Sequence, residues 1–302
     1  MKILLTGATG FVGINAVNYL KKKHEVVAFL RDKSKAKVLN GDVEITIGDI
    51  VDKESIDRAI KGVDAVVHIG GLINASNLEK LYLTNRIGSR NIAQACIENG
   101  INNIVYISSL AARGPDGFQN PVSHYGCSKR LGELEFIHRC YNGNLKIIRP
   151  PIIYGPYDKG CFELFRMAKR GILPKLNRRY SFVFIDDFVK AIEKLLNLET
   201  SRPEIFYISG SKAKTDRINR ALFNAVSKSG IEIPIPDAFI GVFSLLKFES
   251  KVFSKDKIRE IRPKAWTCNN DKLFERTKFK PSVEIEEGFK ITARWYKEHG
   301  WL

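Results

Sequence analysis

The sequence predicts an α/β fold: a doubly wound parallel sheet of about seven strands with a smaller, mainly helical lobe beside it. Three observations predict it. Short β-branched runs alternate with helical patterns, a glycine-rich turn follows the first run directly, and the chain of 302 residues is 44% hydrophobic and 27% charged, enough apolar material for a large packed core.

The strand-like runs fall at residues 3–6, 25–30, 43–47, 64–69, 103–108, 145–149 and 204–208. They are apolar on both faces and separated by stretches of helical length, the signature of a sheet covered by helices on each side. Two helical patterns, 162–170 and 186–196, stand between the sixth and seventh runs, too much chain for a simple crossover. After residue 209 the strand signal stops, and the chain reads as helical with Pro234, Pro236, Pro263 and Pro281 as punctuation. We therefore expect residues 1–157, completed by the strand at 204–209, to form a dinucleotide-binding domain. Residues 158–203 and 210–302 form a substrate-binding lobe.

Composition narrows the function. The longest uncharged apolar run, 238–246, is about half of what a helix needs to cross a bilayer. No secretory pattern follows Met1, so a cytoplasmic protein is expected. Five cysteines without a CxxC pair signal neither a zinc site nor a disulfide framework. The net charge of +16 is heavier in the C-terminal half, but no nucleic-acid motif accompanies it, and nucleic acid is not expected as a partner.

Residues 6–13 read TGATGFVG, which places Gly7, Gly10 and Gly13 between the first strand and a helix ending near Lys22. Glycines there permit a tight turn, and the helix's free N–H groups and positive dipole end suit a pyrophosphate. Gly7, Thr9, Gly10, Phe11, Val12 and Gly13 are the expected contacts. The end of the second strand selects the dinucleotide, because a carboxylate there accepts from a ribose hydroxyl and an arginine pairs with a 2′-phosphate. Here Leu30 occupies the acid's position and Arg31 follows, with Lys33, Lys35 and Lys37 behind it. NADP is the expected cofactor, bound through Arg31 and Lys35. Asp32 leaves NAD open.

Tyr125 and Lys129 form a YxxxK pair on one face of a predicted helix running from 121–123 to about 140. A phenol titrates near 10, so acid/base work at neutral pH needs a shift of about three units. An ammonium about 4 Å away, at an effective dielectric near 20, supplies a comparable energy. Ser108 and Ser109 end the fifth strand, where a hydroxyl can donate to a substrate carbonyl while Tyr125 handles the proton.

With these stretches in order, the chain resembles the extended short-chain dehydrogenase/reductases, the NAD-dependent epimerase/dehydratase type. The resemblance runs through TGATGFVG at 6–13, GD at 48–49, VVHIGG at 66–71, NRIGSRNI at 85–92, VYISS at 105–109, YGCSK at 125–129, RPPIIYGP at 149–156 and FIDD at 184–187. It implies that Ser109 orients the substrate, with Ser108 as the fallback, that Tyr125 is the acid/base, and that Lys129 lowers its pKa and holds the nicotinamide ribose. It also implies Asp49 and Ile50 beside the adenine, Ile69, Gly70 and Gly71 along the cofactor, and Pro151 and Ile153 at the nicotinamide.

Departures from the family pattern refine this. Gly70-Gly71 stands where the family often has Ala-Ala, so a more open wall is expected beside the nicotinamide. Ser109-Leu110-Ala111 replaces the Thr-Asp-Glu of the sugar-nucleotide dehydratases, which disfavours dehydration. Tyr180 stands where sugar-nucleotide epimerases commonly carry an arginine, with Arg179 one residue off. Reductases of the hydroxysteroid-dehydrogenase type, whose substrates tend to be apolar, resemble the chain better around SSLAARGP at 108–115.

Three further features carry readings. Arg166, Lys169, Arg170, Lys175, Arg178 and Arg179 form a cationic run with no acid between Glu163 and Asp186, either an anion site or a solvated face. Residues 238–255 read as an amphipathic basic helix: a lobe-packing element, a lid over an apolar substrate or a membrane-surface contact. The helical patterns at 78–99 and 124–141 resemble the pair that forms the family's dimer interface, so a homodimer is expected. His68 and His124 lack partners at metal spacing, and no metal is proposed. The leading reading is an oxidoreductase that moves a hydride between NADP(H) and a carbinol or ketone carbon of a small-molecule substrate. The runners-up are an NAD-dependent sugar-nucleotide epimerase and a non-catalytic dinucleotide-sensing scaffold.

Overall fold

The computed structural model describes residues 1–39, 41, 43–73, 77–237 and 255–302. The amphipathic stretch read at 238–255 lies, but for its last residue, outside the described residues. In chain order the strands are β1 Lys2–Thr6, β2 Glu25–Leu30, β3 Glu44–Ile47, β4 Ala65–His68, β5 Asn103–Ile107, β6 Leu145–Arg149, β7 Ile152–Tyr154, β8 Ile172–Lys175, β9 Arg179–Phe184, β10 Glu204–Tyr207, β11 Ser211–Lys214, β12 Ile231–Pro234 and β13 Ala265–Trp266. The helices are α1 Phe11–Leu20, α2 Lys53–Ala59, α3 Leu78–Tyr82, α4 Gly88–Glu98, α5 His124–Arg139, α6 Phe162–Lys169, α7 Ile185–Leu196, α8 Thr215–Ala225, α9 Lys255–Ile261, α10 Asp271–Thr277 and α11 Ile285–Glu298.

Seven strands form one parallel sheet in the order β10-β6-β5-β4-β1-β2-β3. The chain winds outward from β1 in both directions, so the strand order reverses between β1 and β4. Their carboxyl ends, Thr6 beside His68, open the crevice in which such sheets bind ligands. The central strands are apolar on both faces because each face meets a helical layer. Ile3, Leu5, Val67 and Val105 pack in one core with α1 and α7, and Leu4, Val66, Ile104 and Tyr106 pack in the other with α2 and α4.

The strand signal does not stop at residue 209. β11 runs antiparallel to β9, β13 and β7 lie parallel to it, and β12 pairs with β8. These strands are two to four residues long and read SKAK, AW and IEIP, without the apolar run that marks a central strand. Their order comes from pairing with distant strands. The expected helix at 78–99 is broken into α3 and α4 by a π-helical turn, Leu83–Ile87. No helix among the described residues is long and apolar enough to cross a membrane.

Candidate active site

Gly7 starts the first turn at φ +73°, a left-handed conformation natural to glycine. A Cβ on Gly13 would stand 2.1 Å from the Gly7 carbonyl, so the helix approaches the strand only because that position is bare. Gly10 caps α1 with no side chain donated to its amides and no acid in the first turn. A bare backbone cradle at a helix's positive end fits a dinucleotide's pyrophosphate. Thr9, Phe11 and Val12 lie half-buried at its lip.

Leu30 is buried, whereas Arg31 and Lys35 are exposed at the start of a short 3-10 turn, Lys33–Val38. Asp32 is occupied within that turn. Its Oδ1 accepts from the Ser34 amide at 2.9 Å and the Ser34 hydroxyl at 2.6 Å, which holds the carboxyl below its usual range. Asp49 likewise accepts from the Val51 amide, while the Ile50 side chain is buried against Gly88. Ile69 and Pro151 are half-buried just past the carboxyl ends of β4 and β6, and Ile153 is half-buried in β7.

Gly70 and Gly71 do not make a more open wall. A Cβ on Gly70 would lie 3.0 Å from Thr6 Oγ1, and one on Gly71 would lie 2.9 Å from Asn85 Oδ1. Those polar atoms occupy the space, and the glycines let the chain after β4 pass close over them.

Asn85 is the site residue to which the sequence reading gave no role. It sits on the π-helical turn, 1% exposed, and receives the Leu72 amide at 2.7 Å. Its Nδ2 donates to the Leu72 carbonyl and to Ser128 Oγ, both at 2.8 Å. The available signal was a polar residue on the buried face of a helical pattern, within the quoted stretch 85–92. π-turns often mark functional positions, and this one seats Asn85 between the glycine wall and α5.

Ser123 caps α5, accepting from the Gly126 amide at 3.0 Å, and the helix presents Tyr125 and Lys129. Ser108 and Ser109 separate in role. Ser108 Oγ donates to Glu133 Oε1 at 2.5 Å in the interior, while Ser109, at the head of a 3-10 turn, accepts from the Ala111 amide at 3.2 Å and lies near enough to the Tyr125 phenol to lower its pKa.

The expected lowering of the Tyr125 pKa is not what this chain's residues produce. Burial pushes the phenol up to about 12, with Ser109 pulling it down and Glu260 adding to the rise. Lys129 is turned elsewhere: Nζ donates to the Ile107 carbonyl at 2.7 Å and stands 4.6 Å from the Tyr106 ring centroid. Burial pushes Lys129 down to about 8, against Glu133. His68, between Thr6 Oγ1 at 2.6 Å and Ser89 Oγ at 3.2 Å, is driven to about 3 by burial and by Lys129, so it is neutral.

Beside Tyr125 lies an apolar wall. Leu110, Ala111, Trp266 and Cys268 are buried together, and Val122, Tyr125, Tyr180 and Tyr207 pack on them. Tyr180 packs on this cluster, whereas Arg179, the first residue of β9, is exposed. The cationic run is neutralised in part: Arg166 pairs with Glu163 one helical turn before it, and acids distant in sequence pair with Lys175 (Asp216 and Glu232) and Arg178 (Asp237). It does not converge as one anion site.

Residues 3–209 match the NAD dependent epimerase/dehydratase family. The chain is 31% identical to a ceramide reductase of Caulobacter vibrioides, over 99% of this chain and 96% of that protein. It is 29% identical to a UDP-glucose 4-epimerase of Vibrio cholerae, over 97% and 94%. Among solved structures, a UDP-glucose 4-epimerase of Thermotoga maritima with UDP-glucose superposes with TM-score 0.81 at 22% identity, covering 99% of each chain. A UDP-glucuronic acid 4-epimerase of Bacillus cereus with UDP-glucuronic acid and NAD gives 0.82 at 19%, covering 99% and 100%. At those identities the structural likeness speaks for the fold.

Proposed function

The chain belongs to the NAD-dependent epimerase/dehydratase family, and within it we propose an NADP(H)-dependent reductase of a ketone carbon on an apolar substrate. The observation that carries this reading is the wall beside Tyr125, where the half-buried Tyr180 and Val122 lie on the buried Leu110 and Trp266, apolar surroundings in place of a cation for a diphosphate. The ceramide reductase likeness agrees with it.

A nicotinamide dinucleotide held along the glycine turn supplies the hydride that reaches the carbonyl carbon. The chain's residues do the rest. Ser109 donates to the carbonyl oxygen, and Tyr125, protonated at neutral pH, delivers the proton that this oxygen needs as it becomes a hydroxyl. Lys129 and Asn85 fix the floor under the ribose. Arg31 and Lys35 supply positive charge for a 2′-phosphate, with Asp32 engaged by Ser34. We further propose a homodimer through α4 and α5, where Ile97 of α4 and Leu83 of the preceding π-helical turn are exposed, and a site of action in the cytoplasm.

The test is NADPH consumption with a long-chain ketone, the keto form of a ceramide, set against UDP-glucose with NAD. NADPH oxidation by the ketone is expected, reduced by about 10²-fold or more in Tyr125→Phe. Conversion of UDP-glucose to its 4-epimer with tightly held NAD and no NADPH oxidation would replace this reading with the epimerase.

A further inference from the structure

The amino end of the tyrosine-bearing helix is held by carboxylates delivered from the far end of the chain. Asp256, on α9, accepts from the His124 amide through Oδ1 at 2.7 Å and from the Tyr125 amide through Oδ2 at 3.1 Å. Glu260, one turn further along α9, accepts from Ser123 Oγ at 2.8 Å. Ser123 in turn receives the Gly126 amide, so the first three N–H groups of α5 are satisfied by one serine and one distant aspartate.

The clamp is itself anchored. The Trp266 indole donates to the Glu260 carbonyl, and the buried Arg178 guanidinium donates to the Ile261 carbonyl at 3.1 Å while pairing with Asp237 at 2.9 Å. Arg178 thus ties Asp237 to the end of α9. A charged carboxylate bridging two successive backbone amides fixes the direction of the helix's first turn, and Tyr125 is the second residue of that turn.

We propose that Asp256 is a positioning residue for the reaction: from the second lobe it sets the angle of the first turn of α5 and so the place of the Tyr125 phenol relative to Ser109. The inference rests on the reading of Tyr125 as the proton donor. It makes turnover depend on the docking of α9, whereas the phosphate turn between β1 and α1 is untouched by it.

The experiment compares Asp256→Ala, Asp256→Asn and Tyr125→Phe in the full chain, with NADPH and the keto-ceramide probe. It also reads NADPH affinity by fluorescence and amide exchange over residues 121–130. In Asp256→Ala, kcat is expected to fall about tenfold, the equivalent of one charge-assisted hydrogen bond, with KM and NADPH affinity nearly unchanged. The His124 and Tyr125 amides should exchange faster. Asp256→Asn keeps one acceptor oxygen and should recover part of kcat. Unchanged kcat in Asp256→Ala, or a loss matched by an equal loss of NADPH affinity, overturns the positioning role while an inactive Tyr125→Phe leaves the proton-donor reading standing. A fully active Tyr125→Phe overturns both.

Discussion

Glu133→Ala is expected to destabilise the chain severely and to weaken cofactor binding as well. The Glu133 carboxylate is fully buried on α5, one turn beyond Lys129. Arg149 donates to it twice, Nε to Oε1 at 2.7 Å and Nη2 to Oε2 at 2.6 Å, and Ser108 and Arg130 add one hydrogen bond each. Removing it leaves the Arg149 guanidinium in the interior with only the Tyr207 hydroxyl, at 2.6 Å, as partner. Breaking such a pair from one side costs about 3–5 kcal/mol, mostly the uncompensated charge. With a urea m-value of about 3 kcal/mol per M for a chain of this size, the midpoint should fall by about 1 M or more. Urea titration followed by near- and far-ultraviolet circular dichroism measures it. Glu133→Met with Arg149→Met should be much milder than Glu133→Ala alone, because no charge is orphaned. Equal loss in the single and double variants would refute the argument. The pH dependence has a fixed sign. Burial pushes the Glu133 carboxyl up, but the hydrogen bonds and charge of Arg149, with Ser108 and Arg130, outweigh it and hold it below its ordinary value. Its contribution is therefore complete above the ordinary glutamate pKa and is lost as pH falls through the depressed one. Glu133 also raises the Lys129 pKa, so Glu133→Gln should bring the alkaline loss of cofactor affinity to lower pH.

Two other outcomes are expected. Arg31→Ala should weaken NADPH by roughly 10- to 150-fold and leave NADH nearly untouched, with the difference shrinking at high salt because Arg31 is exposed. Equal wild-type affinities for the two, read by fluorescence titration, would sink the assignment. The reduction rate should show no basic limb through neutral pH because Tyr125 stays protonated, while the oxidation rate should climb across pH 7 to 10 without a plateau. A plateau near neutrality in the oxidation profile would mean that the phenol titrates far below about 12.

The parallel sheet was legible because its strands are apolar on both faces, a pattern that buried sheets require and that tolerates no other reading when glycine turns and helical stretches alternate with it. β1, β2, β5 and β6 fall within a residue of the expected positions for that reason. β11 and β12 were not legible. Each is half lysine, or half glutamate and proline, and becomes a strand only because β9 or β8 offers it a hydrogen-bonding edge. Local sequence carries no information about an edge supplied by residues 30 to 60 positions away.

The same distinction divides the site. Gly7, Gly13, Tyr125 and Lys129 are separated by helical and turn spacings, so sequence alone sets them near their partners. The Tyr125 pKa was misjudged because spacing fixes which side chains share a face but not where an ammonium points. Lys129 turns its proton donors to the Ile107 carbonyl, a backbone acceptor that no spacing rule reveals. Asp256 stands 131 residues beyond Tyr125, on a helix without any motif, and its role exists only once α9 docks. Yet these long-range groups complete the chemistry. Burial keeps the Tyr125 phenol protonated at neutral pH, and a distant carboxylate clamps the helix end that carries it.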